Sequence, residues 1–373
     1  MSHNHPENDP QFIGLNVNVG VDKLDSVNAD SVSRFLKKGR RKLISADEFF
    51  EGIRGGNITL LSQAVTLIES NKPEHQNIAQ EVIVKCLPFA GKSIRLGITG
   101  VPGAGKSTFI ECLGKHITAS GGKLAVLAID PSSQRSKGSI LGDKTRMEEL
   151  SSDPNAYIRP SPSAGSLGGV ARKTREIIIL CEAAGFDNIF IETVGVGQSE
   201  TVVHSMVDFF LLVQIAGAGD ELQGIKRGIM EMADTIVINK ADGDNFERAQ
   251  LAAAQFRSAL HLFPPTGSGW NPAVLTCSSV EGTGVPEVWD TVAKYVELTM
   301  NNGYFKSRRQ DQSKYWMYET INETLRKNFY HSQLIRPRLS RYEHLVLTDE
   351  VSSFMAANEL LEAYFKSMRG SID

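Results

Sequence analysis

The sequence predicts an α/β fold in which a mostly parallel sheet is sandwiched between helices. Short apolar runs typical of buried strands alternate with longer segments of helical spacing, and a glycine-rich loop joins the first apolar run to a helix. Two of the apolar runs end in an acidic residue, Asp130 and Glu192. Open parallel sheets bind their ligands at the carboxyl ends of the strands, so we expect a site at that edge.

Four segments are expected along the chain. Residues 1–28 are polar and lack helical periodicity, which predicts a flexible arm, and helical patterns over 29–90 predict a segment that covers one edge of the sheet. The nucleotide domain is expected over 91–302, and a C-terminal helical extension over 303–373.

Start and stop signals divide the N-terminal segment into three helices. Ser45 or Asp47 caps the first helix, and Gly55 follows its end. The second helix is expected over 58–68 and the third around 78–87, before the first strand of the sheet.

The glycine-rich loop at residues 100–107 has the sequence GVPGAGKS and fills every fixed position of the pattern G-x-x-x-x-G-K-[ST]. Its backbone N–H groups converge on an anion, the following helix adds its positive end, and the Lys106 ammonium reaches the β- and γ-phosphates. Ser107 is then a ligand for Mg²⁺. The expected fold is therefore that of a P-loop NTPase. The phosphate-binding residues predicted here are Gly103, Ala104, Gly105, Lys106, Ser107 and Thr108.

Further acidic and polar residues follow two later strands. Asp130 ends the strand over 123–130, and Asp143 lies in the long polar loop beyond it; we expect both near the metal, although Asp143 as a helix cap is an alternative. Glu192 ends the strand that begins at Asp187, and Gly195 can approach the γ-phosphate through its N–H group. Gln198 either positions water or is a surface residue. The catalytic residues predicted on this basis are Lys106, Asp143, Glu192 and Gln198.

An N-K-x-D group, residues 239–242, directly follows a strand that begins at Thr235. Asp242 can accept hydrogen bonds from N1–H and the exocyclic amine of guanine, whereas adenine offers neither donor on that edge. Lys240 is expected across the base, and Asn239 is expected to tie this loop to the phosphate loop. Backbone amides at Ser278 or Ser279, after the strand that begins at Ala273, can meet the guanine carbonyl oxygen.

Composition restricts the partners and the location. Hydrophobic residues make up 41% and charged residues 22%, as in an ordinary globular protein, and the formal net charge of -3 gives no reason to expect nucleic acid. The four cysteines are scattered without a C-x-x-C pair, which argues against a disulfide framework. The polar N-terminus lacks the apolar core of a signal peptide, and no run is long enough to cross a bilayer. We therefore expect a cytoplasmic protein without a membrane partner.

The segments GVPGAGKST, DPSS with GSILGDKTRM, IETVGVGQSE, AGAGDELQGIKRGI and NKAD, in this order and spacing, resemble the MeaB/ArgK family of P-loop GTPases. Members of this family, including the mitochondrial MMAA relatives, are G-protein chaperones of adenosylcobalamin-dependent methylmalonyl-CoA mutase. The resemblance extends from about Ser31 to the C-terminus.

This resemblance implies GTP hydrolysis, with Lys106 on the phosphates. It implies switch loops around 131–146 and 193–204, and a third around 217–228 that signals the nucleotide state to the mutase. It also implies that the C-terminal helices form a homodimer. The metal ligands that it implies are Ser107, Asp130, Asp143 and Glu192.

Two other functions share the nucleotide core. A nickel-insertion GTPase requires a metal site rich in cysteine or histidine, and this chain has only His3 and His5 close together. The N-K-x-D group argues against an ATP-dependent kinase.

The apolar stripes of the helices expected over 310–330 and 351–368 are interpreted either as core or as a partner face. Several basic residues of the expected switch loops are candidates for transition-state charge, and the sequence does not choose among them: Arg135, Lys137, Lys226 and Arg227.

Overall fold

The described residues form a seven-stranded parallel sheet. The computed structural model describes residues 44–129, 147–160, 167–193, 199–217 and 227–369. The chain divides into two units, Met1–Ile44 and Ser45–Asp373, and all elements named below belong to the second unit.

The strand order across the sheet is β3-β2-β4-β1-β5-β6-β7, so the first strand lies in the middle between β4 and β5. This is the expected α/β arrangement, and the fold prediction is confirmed. The strands are β1 (Ile94–Gly100), β2 (Leu124–Ile129), β3 (Ala156–Arg159), β4 (Asn188–Thr193), β5 (Phe209–Ile215), β6 (Thr235–Asn239) and β7 (Ala273–Thr276).

Helices cover both faces of the sheet, and further helices precede β1 and follow β7 in the chain. In the described ranges they are α1 (Ala46–Arg54), α2 (Ile58–Glu69), α3 (Pro73–Cys86), α4 (Lys106–Ala119), α5 (Glu148–Ser151), α6 (Leu167–Ala183), α7 (Ser199–His204), α8 (Arg227–Met232), α9 (Phe246–Leu260), α10 (Val285–Asn301), α11 (Tyr304–His331), α12 (Ile335–Leu347) and α13 (Ser353–Arg369). Short 3₁₀ turns lie at Leu87–Phe89 and Gly243–Asn245.

The central strands are buried along nearly their whole length, because helices pack on both faces of a parallel sheet. One face carries Ile98, Phe190 and Val213, which form a core with α4 and α10. The opposite face carries Leu212 and Ile238, which form a second core with α8 and α9. Alternate residues of each strand therefore face different helices, and this alternation decides which side chains lie together at the carboxyl edge of the sheet.

Hydrogen bonds from helix α11 hold the C-terminal extension against the connection between α7 and β5. Arg309 donates two hydrogen bonds to the Asp208 carboxylate, at 2.7 and 2.6 Å. Two further side chains bind backbone carbonyls of the same connection: Gln312 bonds Val207 O at 2.8 Å and Trp316 bonds Ser205 O at 3.1 Å. The start of the extension is thus fixed to the segment that joins α7 to β5.

Local sequence signals explain where helices α1 and α3 begin. Ser45 caps α1 through a capping box with Glu48, as expected from the sequence. Helix α3 begins at Pro73, five residues before the expected start, because proline suits the first helical turn, where its missing N–H is not needed.

Three expectations about secondary structure were wrong or incomplete. Strand β3, at the edge of the sheet, was not predicted; it pairs with residues Leu124–Leu127 of β2. Its four residues carry too little periodicity to separate a short strand from a loop. Helix α11 begins at Tyr304 rather than near 310, and α12 was not predicted at all. The domain boundaries at 28, 90 and 302 stay predictions. Within the described residues, no helix is both long enough and apolar enough to cross a membrane.

Candidate functional site

The phosphate loop connects the end of β1 to the start of α4, at the carboxyl edge of the sheet. Gly105 is the residue before α4 and has a left-handed backbone with φ of 82°. A Cβ at this position would lie 2.8 Å from Nδ2 of Asn239, so both the backbone conformation and the close approach require glycine. The phosphate loop thereby lies against Asn239 at the end of β6.

The Lys106 ammonium lies inside this loop, over the end of β1. Its Nζ donates hydrogen bonds to the carbonyl oxygens of Gly100, at 2.8 Å, and Val101, at 3.3 Å. Burial lowers the pKa of Lys106, and the charges of Glu192 and Glu200 act in the opposite direction. Two acidic residues therefore favour the charged form of Lys106.

Ser107 and Glu192 bring two oxygen ligands together. The Ser107 hydroxyl donates to Oε1 of Glu192 across 3.4 Å, and the glutamate is only 4% exposed. Glu192 shares the α4 face of the sheet with Phe190, two residues earlier in β4. A hydroxyl and a carboxylate beside a phosphate loop suit Mg²⁺, which prefers oxygen ligands and retains several waters.

Asn239, at the end of β6, joins the phosphate loop to the loop that follows β7. Its Nδ2 donates to the carbonyl oxygen of Ala104 at 2.8 Å. Its Oδ1 accepts from both the backbone N–H of Ser279, at 3.1 Å, and the Ser279 hydroxyl, at 2.8 Å. The carboxamide is 1% exposed, so these hydrogen bonds are made away from water.

Lys240 and Asp242 follow Asn239 in the chain and are more exposed than it is. The Ser278 hydroxyl donates to Oδ2 of Asp242, which fixes the orientation of a partly exposed carboxylate. Lys240 is exposed and has a left-handed backbone with φ of 60°, which is uncommon for a lysine. Its Cε would lie 3.9 Å from a Cβ at Gly105, so the lysine side chain runs alongside the phosphate loop.

The structure brings most of the predicted site residues to one edge of the sheet. Thr108 is exposed in the first turn of α4. Four predicted residues lie outside the described ranges: Asp130, Asp143, Gly195 and Gln198. Among the residues that the structure does describe, no group of three or more His, Cys, Asp or Glu side chains could hold a metal ion. Glu200 has no role predicted from the sequence, although this acid lies in the segment IETVGVGQSE; only its burial distinguishes it from a surface acid.

Comparison with known proteins decides the family. The family model described as Methylmalonyl Co-A mutase-associated GTPase MeaB matches residues 61–333. The chain belongs to the MeaB family of GTPases. The matched range includes the phosphate loop, Glu192, the N-K-x-D group and the whole of α11.

Curated relatives agree with this assignment. The chain is 48% identical to a probable GTPase of Mycobacterium tuberculosis over 318 residues, which are 85% of this chain and 95% of the relative. It is 46% identical over 328 residues to the Mus musculus protein named methylmalonic aciduria type A homolog, mitochondrial, covering 85% of this chain and 79% of that one. The family name and these relatives indicate a nucleotide hydrolase that binds GTP and GDP.

A solved structure shares the fold. The crystal structure titled LAO/AO transport system kinase superimposes with a TM-score of 0.70 at 37% sequence identity, and covers 86% of this chain and 99% of that one. The MeaB-family chain therefore has the P-loop NTPase fold that the sequence predicts.

Proposed function

We propose that the protein hydrolyses GTP in a Mg²⁺-dependent reaction, by in-line attack of water on the γ-phosphate. The observation that carries this proposal is the Asn239 junction. It holds the phosphate loop at Ala104 and the guanine-binding loop at Ser279 through a single side chain. A nucleotide that binds both loops therefore has its base and its phosphates fixed relative to each other.

Selection of guanine is assigned to Asp242. Its carboxylate is oriented by Ser278 and only partly buried, so it is available to the N1–H and the 2-amino group of guanine. Lys240 covers the base from the side of Gly105. Adenine would leave the carboxylate without donors, which favours GTP over ATP and disfavours the kinase alternative.

Positioning and charge neutralisation account for the chemistry, and no nucleophilic side chain is required. Lys106 holds the β- and γ-phosphates. Ser107 and Glu192 would hold Mg²⁺, which would neutralise phosphate charge when bound, and their two oxygens fit such an ion. Further metal ligands are proposed at Asp130 and Asp143, a backbone contact to the γ-phosphate at Gly195, and water orientation at Gln198.

The cellular role that we propose is that of a chaperone for an adenosylcobalamin-dependent acyl-CoA mutase, with methylmalonyl-CoA mutase as the first candidate. Support comes from the family description, which names a mutase-associated GTPase, and from the methylmalonic aciduria name of the mouse relative. Differential binding of the GTP and GDP forms to the mutase would gate cofactor loading. A cytoplasmic location stays a prediction from the sequence.

The C-terminal extension is proposed to bind a second copy of the chain. Helices α11, α12 and α13 enclose a groove of about 790 Å³ with a mostly apolar lining. Its rim includes Leu347, which is 84% exposed, and Leu325, which is 57% exposed. An apolar groove of this kind on a helical arm is typical of a protein interface, in agreement with the dimer that the family resemblance implies.

The proposed function is tested by measuring GTP turnover of the purified protein, with and without methylmalonyl-CoA mutase from the same source. We expect slow turnover alone and faster turnover with the mutase. Lys106→Ala should abolish both rates, whereas Lys294→Ala, at an exposed lysine of α10, should change neither. Unchanged turnover with the mutase would contradict the chaperone role, and equal turnover of ATP and GTP would contradict the assignment of the substrate.

A further inference from the structure

Thr99 and Thr193 form a buried hydroxyl pair at the carboxyl edge of the sheet. The Thr193 hydroxyl donates a hydrogen bond to Oγ1 of Thr99 across 2.9 Å. Both residues are fully enclosed, with exposed fractions of 1% for Thr99 and 0% for Thr193. A buried hydroxyl is unfavourable unless it is hydrogen-bonded, and valine would fill the same space without that requirement. Packing alone therefore does not account for the pair.

The hydrogen bond lies just beyond the point where β1 and β4 stop pairing. Their backbone register ends with Ile98 opposite Glu192. Beyond that point β1 stays paired with β5, and β4 stays paired with β2. The side chains of Thr99 and Thr193 thus join the two strand ends where the backbone pairing between them has stopped.

Two consecutive residues of β4 contact the two ends of the phosphate loop. Thr193 binds Thr99, the residue before the loop begins at Gly100. Glu192 accepts a hydrogen bond from Ser107, the residue at which the loop ends. Because side chains alternate along a strand, these two contacts lie on opposite faces of the sheet. The end of β4 is therefore held to the phosphate loop on both faces.

The two contacts differ in length. Hydrogen bonds from a hydroxyl to a carboxylate are normally about 2.5–2.7 Å long. The distance of 3.4 Å between Ser107 and Glu192 is longer, so this contact alone fixes the separation of their oxygens only weakly. Mg²⁺ tolerates little variation, because it requires nearly octahedral geometry with oxygens at about 2.0–2.1 Å. The shorter contact between the threonines holds the backbone that carries Glu192.

We propose that the Thr99–Thr193 hydrogen bond positions Glu192 opposite Ser107 for metal binding. Thr193 acts through the preceding residue, Glu192, and Thr99 acts through the start of the phosphate loop, so both are positioning residues. This inference rests on the proposed function, because it concerns the Mg²⁺ site assigned there. It predicts that the threonines affect how strongly Mg²⁺ assists nucleotide binding, while contacts to guanine stay unchanged.

Thr193→Val removes the hydroxyl and keeps the shape of the side chain. The measurement is the dissociation constant of a non-hydrolysable GTP analogue, in EDTA and in Mg²⁺. We expect the value in EDTA to stay within about threefold of wild type, and the tightening caused by Mg²⁺ to fall about tenfold, as for other groups that orient a metal ligand. Thr193→Ser keeps the hydroxyl, so we expect it to retain the Mg²⁺ effect of wild type.

The double variant Thr99→Val with Thr193→Val separates positioning from stability. Each single variant leaves one buried hydroxyl without its partner and should lower the midpoint of thermal unfolding, whereas the double variant leaves none and should unfold close to wild type. If the hydrogen bond positions Glu192, the double variant still loses the Mg²⁺ effect. Thr235→Val is the matched control, since Thr235 is also 0% exposed but lies at the amino end of β6, with its hydroxyl on the carbonyl oxygen of Asp234.

The outcomes separate this inference from the proposed function. GTP turnover by wild type tests the proposed function, whereas the Mg²⁺ effect on analogue binding tests the threonines. A Mg²⁺ effect in Thr193→Val equal to that of wild type would overturn the inference alone. Recovery of the effect in the double variant would also overturn it, because that pattern identifies an unpartnered hydroxyl as the cause. An equal loss in Thr235→Val would do the same, since that threonine is at the other end of the sheet.

Discussion

The carboxamide of Asn239 donates a hydrogen bond to the carbonyl oxygen of Ala104 across 2.8 Å, and this contact joins the two loops of the nucleotide site. The residues are 135 positions apart in the chain. They meet because β1 and β6 end at the same edge of the sheet with only β5 between them. The contact leaves no space for a side chain at Gly105, which follows Ala104.

Gly105→Ala should therefore weaken nucleotide binding as well as folding. The new Cβ meets Asn239 and forces a left-handed alanine, so we expect a loss of about 1–3 kcal/mol in the free energy of unfolding and GDP binding weaker by tenfold or more. Gly121→Ala is the matched control, since Gly121 has a similar φ of 87° but no atom within 4 Å of the added Cβ. Denaturant unfolding and nucleotide titration measure the two effects. Equal behaviour of both variants would contradict the close contact.

His204 should make stability depend on pH. Burial, with a smaller effect of Arg308, lowers the pKa of His204 to about 4 from an ordinary value of 6.5. A depressed pKa means that the folded state resists protonation, so this contribution is complete above pH 6.5 and is lost as the pH falls towards 4. We expect a loss of about 2–3 kcal/mol from this group over that range.

The His204→Gln variant should lose this part of the pH dependence. Burial raises the pKa of Asp234 to about 6, so the contribution of Asp234 to stability falls as the pH rises, opposite to that of His204. Only the difference in unfolding free energy between wild type and variant therefore isolates the effect of the histidine. Unfolding free energies at pH 4.5 and 7 in both proteins provide that difference. A difference in unfolding free energy that is the same at both pH values would contradict a partly buried, neutral His204.

Leu347→Asp should prevent self-association without affecting catalysis. Leu347 lies at the rim of the C-terminal groove and is 84% exposed, so in a dimer the new charge would be buried in an apolar interface. We expect the sedimentation profile to shift from dimer to monomer at micromolar concentration, with GTP turnover within about twofold of wild type. Leu262→Asp, at a leucine 78% exposed after α9, is the control and should leave the profile unchanged. A wild type that sediments as a monomer would contradict the proposed dimer.

The sequence was most informative where local chemistry demands particular residues. The phosphate loop and the N-K-x-D group require glycines and short polar side chains at fixed spacing, and the structure brings both to one edge. The buried strands were evident because parallel strands covered on both faces are continuously apolar.

Features that depend on tertiary contacts were not evident. Strand β3 is recognised only by its pairing with β2, since four residues carry little pattern. Glu200 resembles a surface acid until α7 is packed over β1. The Arg309–Asp208 ion pair joins residues 101 positions apart, and neither has a local sequence signal.

The central claim is that Asp242 selects guanine in a GTP-hydrolysing site. The most direct measurement is kcat/KM for GTP, ATP and xanthosine triphosphate in wild type and Asp242→Asn. Xanthine has an oxygen where guanine has the 2-amino group, so an amide at this position should pair with xanthine and leave guanine poorly matched. We expect wild type to prefer GTP and the ratio of xanthosine triphosphate to GTP to rise by at least about a hundredfold in the variant. The same ratio in both proteins, or a wild type that uses ATP as well as GTP, would contradict the account.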